Sequence, residues 1–266
     1  MKDRIDITMT EGVADVKLAR PEKLNALDQA MFSALIEAGD HLAQQSGLRA
    51  VVLSGQGKAF CAGLDFMSFL TGGADEAIAK LLEPSPGSPA NFAQQVAYTW
   101  TSLPVPVIAA LHGVVYGGGL QIALGADIRV VHPDAKLSVM EIQWGLIPDM
   151  TGPQTLRHLV GLDVAKLLTF TGRVVTGEEA LTLGLATETS EDPHATAMAI
   201  ATSIASKSPD AIRRGKQLLN ASVRLEHDEA LRLEAKLQTE ILGSANQLEA
   251  VAANLARRSP AFTDPT

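Results

Sequence analysis

The sequence predicts an α/β protein that ends in an all-helical region. Three observations predict this class. Short apolar runs of the fully buried strand type, "RAVVLSG", "VPVIAAL", "DIRVVH" and "KLSVM", recur through the first two thirds. Apolar residues at helical spacing lie between them, and strands alternating with helices place this part in the α/β class. From Thr155 onward the pattern is helical, with no clear strand.

Taken in order, "IDITMTEGVADVKLAR" alternates apolar and polar residues around Glu11-Gly12 and reads as a β-hairpin. "NALDQAMFSALIEAGDHLAQQ" spaces Leu27, Met31, Leu35 and Ile36 as one face of a helix, with Asn25 or Asp28 as its cap. "TGGADEAIAKLLEPSPGSPANF" brackets one short helix with glycine and proline clusters, which reads as a mobile surface insert. "DEALRLEAKLQTEIL" and "ANQLEAVAANLARR" are amphipathic and rich in helix formers. The expected organisation is a core over residues 1–195 and a helical region over 196–266.

Composition narrows the function. The 266 residues are 46% hydrophobic and 20% charged, the profile of a soluble globular chain, and the net charge is −8. That balance argues against nucleic acid or an anionic membrane as a partner, since either wants a basic face. The stretch between Glu83 and Asp127 has no charged residue, but its apolar part is interrupted by Pro104, Pro106, Gly113, Gly117, Gly118, Gly119 and Gln121. It reads as buried core rather than a membrane span. The single Cys61 permits no internal disulfide, and Asp3 and Asp6 stand where an export signal would be apolar. A cytoplasmic setting is expected.

Two segments share one design. "VVLSGQGKAFCAGLDF" and "AALHGVVYGGGLQIAL" each end a buried strand in small residues, from which a helix starts. Glycine lets the main chain adopt strained angles and lets a ligand approach it closely. The free N–H groups of a helix's first turn attract negative charge. Neither segment matches a phosphate-binding loop or a dinucleotide fingerprint. Each alone is equally a tight turn that packs a helix against a strand.

The words "LARPEKLNAL", "GKAFCAGLDF", "GVVYGGGLQIALGADIRVV" and "MEIQWGLIPDMTG", in this order and spacing, resemble the crotonase superfamily, the enoyl-CoA hydratase/isomerase group, over Ile5 to Arg258. The resemblance implies a repeated ββα spiral core with a C-terminal helical region. It also implies assembly as homotrimers or dimers of trimers, and an acyl-CoA thioester substrate, coenzyme A being part of the substrate rather than a separate cofactor. The thioester oxygen would lie between the N–H groups of Leu64 and Gly118. Ala62, Gly63, Leu64, Gly117 and Gly118 would line the thioester arm, and Lys23, Leu24 and Ala26 would meet the adenine and pantetheine side. Arg257, Arg258 and Phe262 are possible C-terminal counterparts for the coenzyme.

Hydratases of the group use two glutamates. Their positions here hold Gln121 and Glu141. An amide cannot act as a general base, so Glu141 is the expected proton carrier, in an apolar setting that should raise its pKa. Asp149 either resembles the second acid of the dienoyl-CoA isomerase branch or caps the next helix. One carboxylate beside an oxyanion pocket suits double-bond isomerisation, because it can take a proton from one carbon and return it to another. Hydration, with Gln121 or Asp149 orienting water, is the alternative. A CoA-thioester hydrolase and a non-catalytic acyl-CoA binder are the rival classes. Cys61 with His112 lacks a third orienting group for thiol catalysis, and no histidine spacing suggests a metal. Trp144 is expected to line the acyl pocket or the core.

Overall fold

The computed structural model describes residues 3–71 and 79–265. Strands β1 (Ile5–Thr10) and β2 (Val13–Leu18) form the expected antiparallel hairpin, with Thr10 opposite Val13. Glu11 (φ 50°) and Gly12 (φ 80°) make the connection. Two positive φ angles are what a two-residue turn needs to match the twist of its strands.

Strand β2 pairs in parallel with β3 (Ala50–Gly55), β3 with β4 (Val107–Leu111), and β4 with β6 (Ile128–Val131). A smaller sheet joins β5 (Val114–Tyr116) to β7 (Lys136–Ser138). The chain after Thr155 adds two strands that its helical pattern conceals. Strand β8 (Val175–Thr176) pairs with β7, and β9 (Glu188–Thr189) extends the large sheet beside β6. Two residues are too few to carry any periodicity.

Helix α1 (Gln29–Ala43) starts at Asp28, whose carboxylate accepts the Met31 N–H at 2.8 Å. Asn25, the other candidate cap, is fully buried and left-handed (φ 55°), and its amide ties Arg20 to Ala59 instead. Helix α2 (Phe66–Thr71) follows the first glycine turn. Residues 72–78 of the expected insert lie outside the described residues. The insert ends where Asn91 and Gln94 form a reciprocal capping box on α3 (Phe92–Ser102).

One face of the large sheet carries the main core, with Phe32 and Leu35 of α1 and Trp100 of α3 packed against it. The other face is covered by α8 (Pro193–Ala205), whose Ala197, Ala201 and Ala205 form one stripe against Val13, Val52, Ile108 and Val130. Four-residue spacing puts the three alanines on one side, and their small size lets the helix sit close. Helices α6 (Leu162–Thr171) and α7 (Gly177–Leu183) stand before and after β8. Helices α9 (Pro209–Ser222), α10 (His227–Ile241) and α11 (Ala245–Ala256) complete the chain, the last two where an amphipathic pattern predicts them. Among the described residues no helix is long and apolar enough to cross a membrane.

Candidate active site

The two glycine turns meet. Cys61 donates its N–H to Val114 (3.1 Å), and its carbonyl accepts the Tyr116 N–H (3.0 Å). On the other side, Leu27 donates to the Gly63 carbonyl (2.8 Å) and accepts from Asp65 (2.9 Å). In this parallel pairing Leu64 directs its own N–H away from Leu27. Gly118 opens helix α4 (Gly118–Leu124), where an N–H has no acceptor within the helix. Among the described residues neither the Leu64 nor the Gly118 N–H donates a main-chain hydrogen bond.

Glycine is required at this junction. Gly63 has φ 87°, and a Cβ there would lie 2.8 Å from the Tyr116 carbonyl oxygen and 3.7 Å from the Gly118 nitrogen. Arg20 braces the first turn from below, pairing with Asp65 at 2.8 Å and standing 3.6 Å from Asp28.

Both turns open on a cavity of about 470 Å³. Its wall includes Ala62, Gly63, Leu64, Gly117, Gly118, Gln121, Glu141 and Asp149, so the structure gathers most of the sequence-predicted site residues around one space. Phe66, Leu81, Trp144, Leu146 and Ile147 make much of the remainder apolar. Phe66 and Trp144 stack with ring centroids 4.3 Å apart, joining the segment after Leu64 to the segment after Glu141. Among the described residues no lysine or arginine lines the cavity.

Glu141 follows β7 at the start of a short 3-10 turn, Glu141–Trp144. Its Oε1 accepts a hydrogen bond of 2.6 Å from the Gln121 amide, while Oε2 is buried without a partner. Burial pushes the Glu141 carboxyl above its ordinary pKa, its own main-chain N–H and then the Gln121 hydrogen bond oppose that, and nearby Asp149 adds to the rise. Gln121 is 2% exposed, and its oxygen accepts the N–H groups of Met150 (2.8 Å) and Gly152 (2.9 Å).

Asp149 does not cap the helix that follows. Helix α5 (Gly152–Leu159) has Thr151 at its cap position, with no side-chain cap bond. Asp149 instead lines the cavity, and its apolar surroundings raise its carboxyl pKa. Trp144 is on the cavity wall and 60% exposed, so it belongs to the pocket and not to the core.

The remaining candidates stand elsewhere. Lys23 and Leu24 are exposed, Ala26 is half-buried, and none of them lines the cavity. The Leu24 carbonyl does accept the Ala62 N–H at 3.0 Å, so their loop abuts the first turn. Cys61 is fully buried and bonded to the Asn25 carbonyl at 3.1 Å, and burial pushes its thiol up to about 12. His112 contacts the Gly57 carbonyl at 3.1 Å. Arg258 pairs with Glu249 at 2.8 Å, Arg257 caps α11, and the Phe262 carbonyl accepts from Arg49. Sequence reasoning missed Arg20, Phe66 and the two main-chain donors to Gln121. Arg20 and Phe66 had a signal, in the words "LARPEKLNAL" and "GKAFCAGLDF", and the main-chain donors had none.

Known proteins carry the same pattern. A family model for enoyl-CoA hydratase/isomerase matches residues 8–265. A probable enoyl-CoA hydratase of Bacillus subtilis is 32% identical, over 97% of this chain and 98% of its own. The mitochondrial Delta(3,5)-Delta(2,4)-dienoyl-CoA isomerase of Mus musculus is 33% identical, over 96% of this chain and 80% of its own. The crystal structure of an enoyl-CoA hydratase from Bacillus anthracis matches with a TM-score of 0.89 at 27% identity, covering 97% of this chain and 98% of that one. A match that spans both sheets, both glycine turns and the helices beyond them leaves one conclusion: this chain has the crotonase fold and belongs to the enoyl-CoA hydratase/isomerase family.

Proposed function

We propose that the protein isomerises the double bond of an enoyl-CoA thioester, with Glu141 as the single proton carrier. The observation behind this reading is the state of the Glu141 carboxylate. One oxygen is engaged by Gln121, and the other is buried with no partner, beside the cavity that both glycine turns line. Removing a proton next to a thioester carbonyl creates an enolate. The Leu64 and Gly118 N–H groups serve as its two donors, each worth roughly 3–4 kcal/mol where well placed. With no lysine or arginine on the wall among the described residues, these dipoles carry the stabilisation of the charge. Glu141 takes the proton from one carbon and returns it to another, which leaves the enzyme unchanged and requires no water.

Coenzyme A enters as part of the substrate, so no separate cofactor is needed. Lys23, Leu24 and Ala26 meet its adenine and pantetheine side. Residues 196–266 serve assembly into homotrimers or dimers of trimers in the cytoplasm. Exposed Leu231, Leu248 and Leu255 on α10 and α11 offer apolar contact area for that assembly.

Hydration is the second reading, favoured by Asp149, a second carboxyl on the same wall with an exposed side toward solvent. Incubation with 2-enoyl and 3-enoyl-CoA esters in deuterated water separates the two. Deuterium at the α or γ carbon without hydroxylation supports isomerisation, and a 3-hydroxyacyl product overturns it. In Glu141→Gln, turnover should fall by about 10²–10⁴-fold while acyl-CoA affinity persists. Undiminished turnover would exclude Glu141 as the proton carrier.

A further inference from the structure

Gln121 stands where the hydratases of this group carry a carboxylate, and its surroundings define what the amide does. Its oxygen accepts two N–H groups, from Met150 at 2.8 Å and Gly152 at 2.9 Å. An amide oxygen has two lone pairs, so both are used. Flipping the amide would put its NH2 against two N–H donors, which fixes the side chain in one orientation. A Cβ at Gly152 would lie 2.6 Å from that oxygen, so the approach also depends on a glycine. The NH2 group must then point toward Glu141, and it donates to Oε1 at 2.6 Å.

We propose that Gln121 is a positioning residue that locks the Glu141 carboxylate by one oxygen and leaves Oε2 as the oxygen that takes the proton. The proposal rests on the reading that Glu141 carries the proton. It narrows what Gln121 can do for a water, because the amide oxygen is fully used and a water there could only accept from the second N–H of the NH2 group. Hydration would then need Asp149 as the acceptor that orients the water. A neutral amide donor also holds the carboxylate without competing for its proton, as a second carboxyl would.

Among the described residues, the other titratable groups on the cavity wall are Tyr116 and Asp149. Neither is a cation, so the Gln121 donor is the side-chain contact that favours the ionised form of Glu141, against burial and the charge of Asp149.

The test reads the carboxyl itself. The full chain, labelled with carboxyl-13C glutamate, is titrated by NMR as wild type, Gln121→Met and Gln121→Glu, with Glu141→Gln identifying the signal. Gln121→Met should move the Glu141 midpoint to higher pH, carry the acid limb of kcat/KM with it, and lower kcat on the order of 10²-fold through misplacement. Gln121→Glu retains an acceptor for Met150 and Gly152, so it keeps the fold if the methionine variant does not. It should give two coupled carboxyl steps, the upper above the wild-type midpoint. A Glu141 midpoint that stays at its wild-type value in the folded variants overturns the proposal. Because the titration needs no substrate, moved midpoints in a protein that turns over no enoyl-CoA would uphold the positioning role and reject the activity instead.

Discussion

Gly119 lies against Cys61: a Cβ on the glycine would sit 2.6 Å from the Cys61 carbonyl oxygen and 2.8 Å from its sulfur. Cys61 is itself bonded to Val114 and Tyr116, so this contact sets the spacing of the two turns. Gly119→Ala should wedge them apart. We expect a loss of roughly 1–3 kcal/mol in urea unfolding and a fall in kcat on the order of 10²-fold. Gly215→Ala is the control, since nothing lies within 4 Å of a Cβ there and the site is inside α9. It should raise stability by about 0.5–1 kcal/mol and leave kcat alone.

The pH profile should carry the mark of two raised carboxyls. Glu141 must be ionised to accept a proton, so the acid limb of kcat/KM should lie above the ordinary glutamate value of about 4.3. Asp149→Asn removes one of the causes that raise Glu141, and the limb should move down. Stability has its own sign. A carboxyl whose folded pKa exceeds its unfolded one binds more protons when folded, so its contribution is present in acid and lost as pH rises through the folded value. Urea unfolding at several pH values should therefore show a shallower loss toward neutrality in Asp149→Asn than in wild type.

Cys61 should be chemically silent. Its thiol is fully buried and pushed up to about 12, far from the thiolate that reactivity requires. A thiol reagent such as DTNB should react only after denaturation. Cys61→Ala should keep kcat within about threefold and cost about 1 kcal/mol for the vacated space. Rapid labelling of the native protein would contradict the burial.

Lys216 and Asp127 tie α9 to the sheet. The ammonium group lies 2.7 Å from the carboxylate and also donates to the Val105 carbonyl at 2.9 Å, and burial lowers its pKa. Asp127→Asn would leave a buried cation without its counterion, at a cost of about 3 kcal/mol. Thermal unfolding measures it, and an unchanged Tm would show that the carbonyls of Val105 and Trp100, the latter 3.4 Å from the ammonium, suffice.

How much of this was legible before the coordinates follows from what each residue signals. Gly63 and Gly117 announce themselves, since few other residues fit a main chain with φ near 87° or 51°, and Glu141 stands out as a carboxyl among apolar neighbours. The fold class was readable from strands long enough to show a pattern. Strands β8 and β9, at two residues each, were not. Asp149 looks like a helix cap in sequence because an acid precedes Thr151-Gly152, yet the chain turns at Thr151 and sends Asp149 to the cavity. The partners of Gln121 were invisible for a simpler reason. They are main-chain N–H groups, which every residue but proline possesses, so no side chain marks them.

Thr151 holds a left-handed conformation (φ 69°), rare for a β-branched residue. It stands between Met150 and Gly152, the two donors that aim the Gln121 amide. A backbone bent this way costs of order 1–3 kcal/mol, so the active geometry is bought with tolerance to heat. Selecting variants for endurance alone should therefore find this corner early, relax it, and harvest sturdier molecules that work more slowly.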